Sequence, residues 1–303
     1  MDLKRRGADK APAIPQLLKG APVANYSRLA ALGSSFQGVS LDLWGTLLAN
    51  DSRTKPKMFE AYRQELGLQE VPFALLDAGY RSADKFTDLI NLTDGKNYGL
   101  EERLVIALKL VEAAGHRLPA APEALVAAHE EALNRLQDTI ALALPPKLIH
   151  PSVPDALRHL RAAGVVTAVA SNTGSYPGRL MRLLLAKVGL TEECFDVYCF
   201  SDEVDAVKPF PQFFRALQGA MGTEPSLTVH IGDNPKADGE GAKAAGQPFL
   251  EVHKDDRGRR GIEHMLYALH CLKIGQAHPS LDKHLREAAS GEQVPEKGQA
   301  PTS

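Results

Sequence analysis

Asp42 stands at the end of the apolar run Gly38–Leu43, in the phrase Asp42-Leu43-Trp44-Gly45-Thr46-Leu47. A carboxylate there is costly to bury unless a cation or hydrogen-bond donors accompany it, and Gly45 permits a tight turn beside it. Alternatively, Asp42 simply caps that turn. Three other stations also follow apolar runs. Ser171-Asn172 offers a hydroxyl where an anionic oxygen could lie, or an N-cap for the helix that follows. Lys208-Pro209 precedes the helical pattern Pro211–Met221, and its ammonium could neutralise a carboxylate and a phosphate together or be solvated. Asp233 and Asp238 lie in His230-Ile231-Gly232-Asp233-Asn234-Pro235-Lys236-Ala237-Asp238. Beside Asp42 they would repel one another unless a divalent cation lay between them, and hard oxygen ligands suit Mg²⁺. The other reading is a turn rich in Asp, Asn and Pro.

The elements that must position these residues are legible as five short apolar runs: Gly38–Leu43, Val165–Ser171, Phe195–Phe200, Leu227–Ile231 and Gln247–Val252. Each is largely apolar rather than alternating, the pattern of strands covered on both faces. Helical patterns, such as Tyr176–Gly189 and Pro211–Met221, separate the last four. The expected fold class is therefore α/β, a Rossmann-like parallel sheet with helices on both faces. Residues 55–145 intervene between the first two strands with helical spacing and no convincing strand. Leu104, Leu108 and Val111 form one stripe; Leu125, Ala128, Ala132 and Leu136 form another. A helical module inserted there would sit above the carboxyl ends of the strands, where such sheets place their ligands.

The expected organisation is a loosely ordered arm over residues 1–35, a core over 36–54 and 146–275, the helical insert over 55–145, and a disordered tail over 276–303. The chain has 303 residues, 44% of them hydrophobic, and a formal net charge of -2, so neither nucleic acid nor an anionic membrane is its expected partner. No run approaches the roughly 18 apolar residues that span a bilayer. The 3 cysteines have no metal-ligand spacing and read as thiols of a reducing compartment. The N-terminus lacks the apolar stretch of a secretory signal, so a cytoplasmic location is expected.

Taken together and in this order, the four stations resemble the haloacid dehalogenase superfamily. The chain carries an Asp-x-x-Gly-Thr-Leu first motif, a strand-ending Ser-Asn, a Lys-Pro and a Gly-Asp-Asn-x-x-x-Asp. The resemblance covers about residues 38–252, and the insert at 55–145 looks like the helical cap these hydrolases carry between their first and second motifs. It implies that Asp42 is the nucleophile and Lys208 the residue that steadies charge. Thr46, Ser171, Asn172 and Lys208 would bind the transferred group. Asp42, the main-chain carbonyl of Trp44, Asp233 and Asp238 would hold Mg²⁺. The implied activity is phosphatase-like cleavage of a small phosphorylated metabolite through an aspartyl-phosphate.

One departure matters. Phosphatases resembling this chain carry a second Asp two residues after the nucleophile, and here that position is Trp44. General acid–base help is worth roughly 10²–10⁴-fold in rate, so a good leaving group, or an acid from the cap or the substrate, is expected. An aromatic residue there also resembles the family's carbon–halogen hydrolases, which have Tyr and need no metal. That alternative, a 2-haloacid dehalogenase, is opposed by the acidic fourth motif. A third reading is a catalytically weak member that binds a ligand or a protein.

Among the remaining residues, His230 is expected inside a strand, in a core or supporting role. Arg53 or Lys55 could reach an anionic substrate where the chain enters the insert, and Asp202 or Asp205 could orient Lys208. The run His253–Arg260 reads as a solvated loop that could border the pocket. The phrase Gly239-Glu240-Gly241-Ala242-Lys243-Ala244 nearly fits a dinucleotide loop, but it follows the wrong strand; its glycines are expected to let a helix pack on the sheet.

Overall fold

The computed structural model describes residues 33–252 and 261–275. The expected arm up to residue 32, the charged run 253–260 and the tail from residue 276 lie outside the described residues.

The apolar runs become the strands of one parallel sheet: β1 (Gly38–Leu41), β4 (Val166–Ser171), β5 (Val197–Phe200), β6 (Thr228–Gly232) and β7 (Phe249–Glu251). Their order is β5-β4-β1-β6-β7, and every neighbouring pair is parallel. β1 is central and buried at all four positions. The expected strand Gly38–Leu43 ends two residues earlier, because Asp42 and Leu43 turn out of the ladder. One bond, Asp42 N to Ile231 O at 2.9 Å, still ties Asp42 to β6.

Continuous burial explains why the strands show no alternation. On one face Val39, Leu41, Val169, Val229 and Ile231 meet Leu157, Leu160, Leu184 and Leu266. Those last four come from α5 (Val153–Ala162), α6 (Gly178–Lys187) and α10 (Ile262–Ile274). On the other face, Ala168, Ala170 and Cys199 meet Phe213, Phe214 and Leu217 of α8 (Pro211–Met221). Between those alanines and the next strand, β1 and β6 contribute polar groups, Ser40 and His230, to this second face.

Between β1 and β4 lie α1 (Thr54–Glu65), α2 (Phe73–Asp94), α3 (Leu100–Ala113) and α4 (Pro122–Ala143). The stripe Leu104, Leu108, Val111 is buried as expected. The second stripe is corrected. Leu125 is buried and Leu136 packs half-buried against the core as expected, but Ala128 is exposed and Ala132 half-buried; α4 also buries Val126, Leu133, Gln137 and Ala141. Alanine adds little driving force to either face, and Gln137 takes a core position because its amide donates to Ser175 O at 3.0 Å. A short antiparallel ribbon, β2 (Leu48–Ala49) with β3 (Lys147–Leu148), closes the base of this helical segment. Two-residue strands leave no periodicity to read.

The connection from β1 leads to β4 on one side, and the chain later crosses to β6 on the other. The carboxyl end of β1 is thus the topological switch point, where parallel sheets open a crevice. No helix among the described residues is long and apolar enough to cross a membrane.

Candidate active site

Asp42 leaves β1 at this crevice and is 7% exposed. Its Oδ1 accepts from Lys208 Nζ at 2.7 Å. The same ammonium donates to Asp238 Oδ1 at 2.6 Å and to Ala170 O at 2.8 Å, so its three protons meet three oxygens. Lys208 is 2% exposed, and an ammonium so buried is tenable only with partners of this kind. Burial pulls its pKa down, but Asp238 and Asp42 outweigh that and hold it above the usual lysine range.

The two carboxylates sharing Lys208 are not equivalent. Asp238 also receives His230 Nε2 at 3.2 Å and Asn234 N at 3.0 Å. Although burial opposes its charge, Lys208 and His230 hold it well below the ordinary aspartate value. Asp42 has fewer donors. Burial pushes it up to about 7 against the pull of Lys208, with Asp238 and Asp233 adding to the rise. Carboxylate oxygens of Asp42, Asp233 and Asp238 lie within 4.8 Å of one another. Three acids so close, one of them raised chiefly by burial, make an all-oxygen donor set suited to a hard divalent cation.

Two glycines make this closeness possible. Gly45 has φ +82°, and a side chain there would run into the Asp233 carboxylate; one at Gly232 would run into Asp238. The Gly45 turn is closed by Gly45 N to Leu48 O at 2.9 Å. Gly241 serves packing instead, since a side chain there would meet Phe214 and Pro209.

Asn172 grips the main chain of Lys208 from both sides: Nδ2 donates to Lys208 O at 3.0 Å, and Oδ1 accepts Lys208 N at 2.8 Å. It therefore positions the lysine as well as lining the cavity. Ser171 lines the cavity beside Asp42. Thr46 does not line it; the side chain is fully buried and its hydroxyl has no hydrogen-bond partner among the described residues. Neither acid expected to orient Lys208 does so. Asp202 accepts from Thr173 Oγ1 and Gly178 N, both at 2.9 Å, at the start of α6. Asp205 occupies a left-handed turn with φ 47°.

His230 is completely buried, with Nδ1 2.9 Å from Ser40 Oγ and Nε2 on Asp238. Burial lowers its pKa, so it serves as a neutral ring that accepts from Ser40 and donates to Asp238. The Phe214 ring stands edge-on to it at 5.4 Å. His230→Leu leaves Ser40 unpaired and Asp238 one donor short. The expected cost is about 1–3 kcal/mol in urea unfolding of the full chain. A change within about 0.5 kcal/mol, the range of an inert surface substitution, would contradict this account.

The cavity over Asp42 has a volume of about 410 Å³. Sequence reasoning missed its roof. Tyr80, Asp84, Asp88 and Asn91 come from one face of α2, at intervals of four, four and three residues. That polar stripe at helical spacing was the available signal. Arg103 of α3, 3% exposed, donates to Asp84 at 2.8 Å and Asp88 at 3.0 Å. Of the two candidates at the entry, Lys55 lines the cavity and pairs with Asp84 at 2.7 Å. Arg53 is turned onto Asp51, with bonds of 2.9 and 2.7 Å, outside the cavity lining.

Trp44 is half-buried at the edge of the same cavity, and its ring centroid lies 6.0 Å from that of Tyr176, tilted by 47°. Tyr176 too was missed. Burial, with Asp84 adding, pushes its phenol up to about 12.

Residues 36–246 match the model of the haloacid dehalogenase-like hydrolases. A phosphoserine phosphatase of Thermus thermophilus is 34% identical over 112 residues, 37% of this chain and 42% of that protein. Human haloacid dehalogenase-like hydrolase domain-containing protein 3 is 31% identical over 132 residues, 39% of this chain and 51% of that protein. The chain thus spans about half or less of the curated relatives it matches. Among solved structures, the HAD-hydrolase YfnB of Bacillus subtilis, bound to magnesium, superposes with a TM-score of 0.53 at 18% identity. That alignment covers 73% of this chain and 90% of the other, and it speaks to the fold alone.

Proposed function

The chain belongs to the haloacid dehalogenase-like hydrolases, and from that membership we propose a Mg²⁺-dependent, phosphatase-like hydrolase acting on a small phosphorylated metabolite through an aspartyl-phosphate at Asp42. The observation that carries this reading is the cluster of Asp42, Asp233 and Asp238 within 4.8 Å, with the buried Lys208 joined to two of them. Attack on carbon with departure of a halide needs no such cation site. The name of the Thermus relative, phosphoserine phosphatase, points the same way.

In this reading Asp42, Asp233, Asp238 and the main-chain carbonyl of Trp44 hold Mg²⁺, which when bound neutralises charge around the transferred phosphoryl group. Asp42 attacks phosphorus with the carboxylate oxygen that Lys208 does not occupy. Lys208 offsets the negative charge at Asp42 and Asp238, and Ser171 donates to a phosphoryl oxygen. Asn172 and His230 keep Lys208 and Asp238 in place. Residues 55–145 serve as the cap that supplies the substrate-reading surface. Tyr80 bonds Ser175 at 2.6 Å, and Gln137 bonds the main chain of the same residue, which fixes that surface over the cavity. Three buried free thiols fit a cytoplasmic site of action.

Release of phosphate from acetyl phosphate by the full chain, with Mg²⁺ and not with chelator, is the expected result. Halide release from 2-chloropropionate without metal, and no phosphate release, would replace this reading with the dehalogenase one. Asp233→Asn is expected to weaken Mg²⁺ binding in calorimetry by more than the roughly 10–100-fold that loss of an outer partner costs. An unchanged affinity would remove Asp233 from the metal set.

A further inference from the structure

We propose that Tyr176 is a catalytic residue that gives its hydroxyl proton to the leaving oxygen, the task position 44 cannot perform with a tryptophan. The inference rests on the phosphatase reading of Asp42 and names the acid that reading lacks.

Placement is the first argument. Tyr176 lines the same cavity as Asp42, Trp44, Ser171 and Lys208. Its ring packs on Trp44, the residue that occupies the position of the missing acid. The loop that carries it runs directly from the strand end at Ser171. It is held by Tyr176 N to Thr173 O at 3.2 Å and, one residue earlier, by the contacts of Ser175 with Tyr80 and Gln137.

Capacity is the second argument. Lys208 already gives its three protons to Asp42, Asp238 and Ala170. Lys55 is joined to Asp84, and the Tyr80 hydroxyl is 2.6 Å from Ser175 Oγ. Asp84 is held by both Lys55 and Arg103. The Tyr176 hydroxyl, by contrast, takes part in no hydrogen bond among the described residues. A phenol O–H is a donor to an oxygen gaining charge.

The chemistry balances. As an Asp42 oxygen bonds to phosphorus, the ester P–O bond breaks and its electron pair stays on the leaving oxygen, which takes the Tyr176 proton. Water then attacks the aspartyl-phosphate, and the tyrosinate takes the proton of that water. The acyl-phosphate O–P bond breaks, phosphate leaves, and Asp42 and Tyr176 return to their starting forms.

The test uses the full chain with Mg²⁺ and two esters, ethyl phosphate and dinitrophenyl phosphate. For Tyr176→Phe, kcat/KM is expected to fall by about 100-fold on ethyl phosphate, whose alkoxide leaving group is more basic than a tyrosinate and needs a proton. On dinitrophenyl phosphate, which leaves without help, the loss is expected to be much smaller, so dependence on the leaving group steepens. Binding of beryllofluoride, a phosphoryl mimic, is expected to stay unchanged in calorimetry. Adding Trp44→Asp to the Phe variant is expected to restore turnover of ethyl phosphate. Equal losses on both esters, or no loss on either, would overturn the role of Tyr176 and leave the phosphatase reading standing. No phosphate release by the unaltered chain from any of these esters or from acetyl phosphate would overturn both.

Discussion

Asp42→Asn is expected to abolish phosphate release from acetyl phosphate, by at least about 10⁴-fold in kcat, while the protein stays folded. The amide keeps the shape of the carboxylate but lacks its nucleophilic oxygen, and loss of a covalent nucleophile is among the largest single effects in enzymology. Stability should move the other way. Burial and two neighbouring acids push Asp42 up to about 7, so its charge is disfavoured where it stands. Lys208 would keep Asp238 and Ala170 O as partners. Urea unfolding without metal should therefore show the variant as stable as the parent at pH 8, or more so, while the activity is gone. Denaturing mass spectrometry during turnover should find phosphate on the parent and none on the variant. Retention of more than about a tenth of the rate would exclude Asp42 as the nucleophile, because no remaining group makes an equivalent bond to phosphorus.

The parts of this site that a single sequence discloses are those fixed by the local chain. Strand ends are marked by apolar runs that stop; Asp42, Ser171 and Asp233 stand at or next to such ends, and Lys208 follows one after a short helical turn. The parallel sheet that gathers them follows from strands alternating with helices. What stays hidden is pairing at a distance. Nothing local tells Asp238 from Asp202 as the partner of Lys208, since both are acids in short helical turns that follow strands. Asp202 instead caps α6 through Gly178 N, a bond only the packed loops reveal. Asn172 looked like a ligand for phosphate and also proves to be a clamp on the Lys208 main chain, 36 residues away. The face of α4 was misread because alanines fit either environment, whereas the choice of Gln137 depends on a carbonyl from another element. Trp44 was legible as a departure, but its contact with Tyr176 required the fold.

The second large effect is expected at Lys208, and it joins stability to chemistry. Lys208→Met keeps the length and the apolar stem but withdraws the cation from between Asp42 and Asp238, whose side chains are 10% and 1% exposed. Leaving buried acids without their partner typically costs about 3–5 kcal/mol. The loss must grow with pH. An acid whose folded pKa is raised takes up a proton on folding, so its stabilisation is present at low pH and fades as pH rises through the raised value. Asp42 already behaves so, between 3.8 and about 7, even with Lys208 in place. Asp238 now resists protonation because Lys208 and His230 hold it low. Without the lysine both acids move upward, and the metal-free variant should be markedly weaker at pH 8 than at pH 5. Adding Asp42→Asn to Lys208→Met removes one of the stranded charges, so the double variant should recover part of the loss. Such non-additivity is expected of groups that share a partner. Urea unfolding of the parent, both single variants and the double variant at the two pH values measures all of this. A Lys208→Met protein within about 1 kcal/mol of the parent at pH 8, the size of an average substitution, would mean that Lys208 does not hold these charges together.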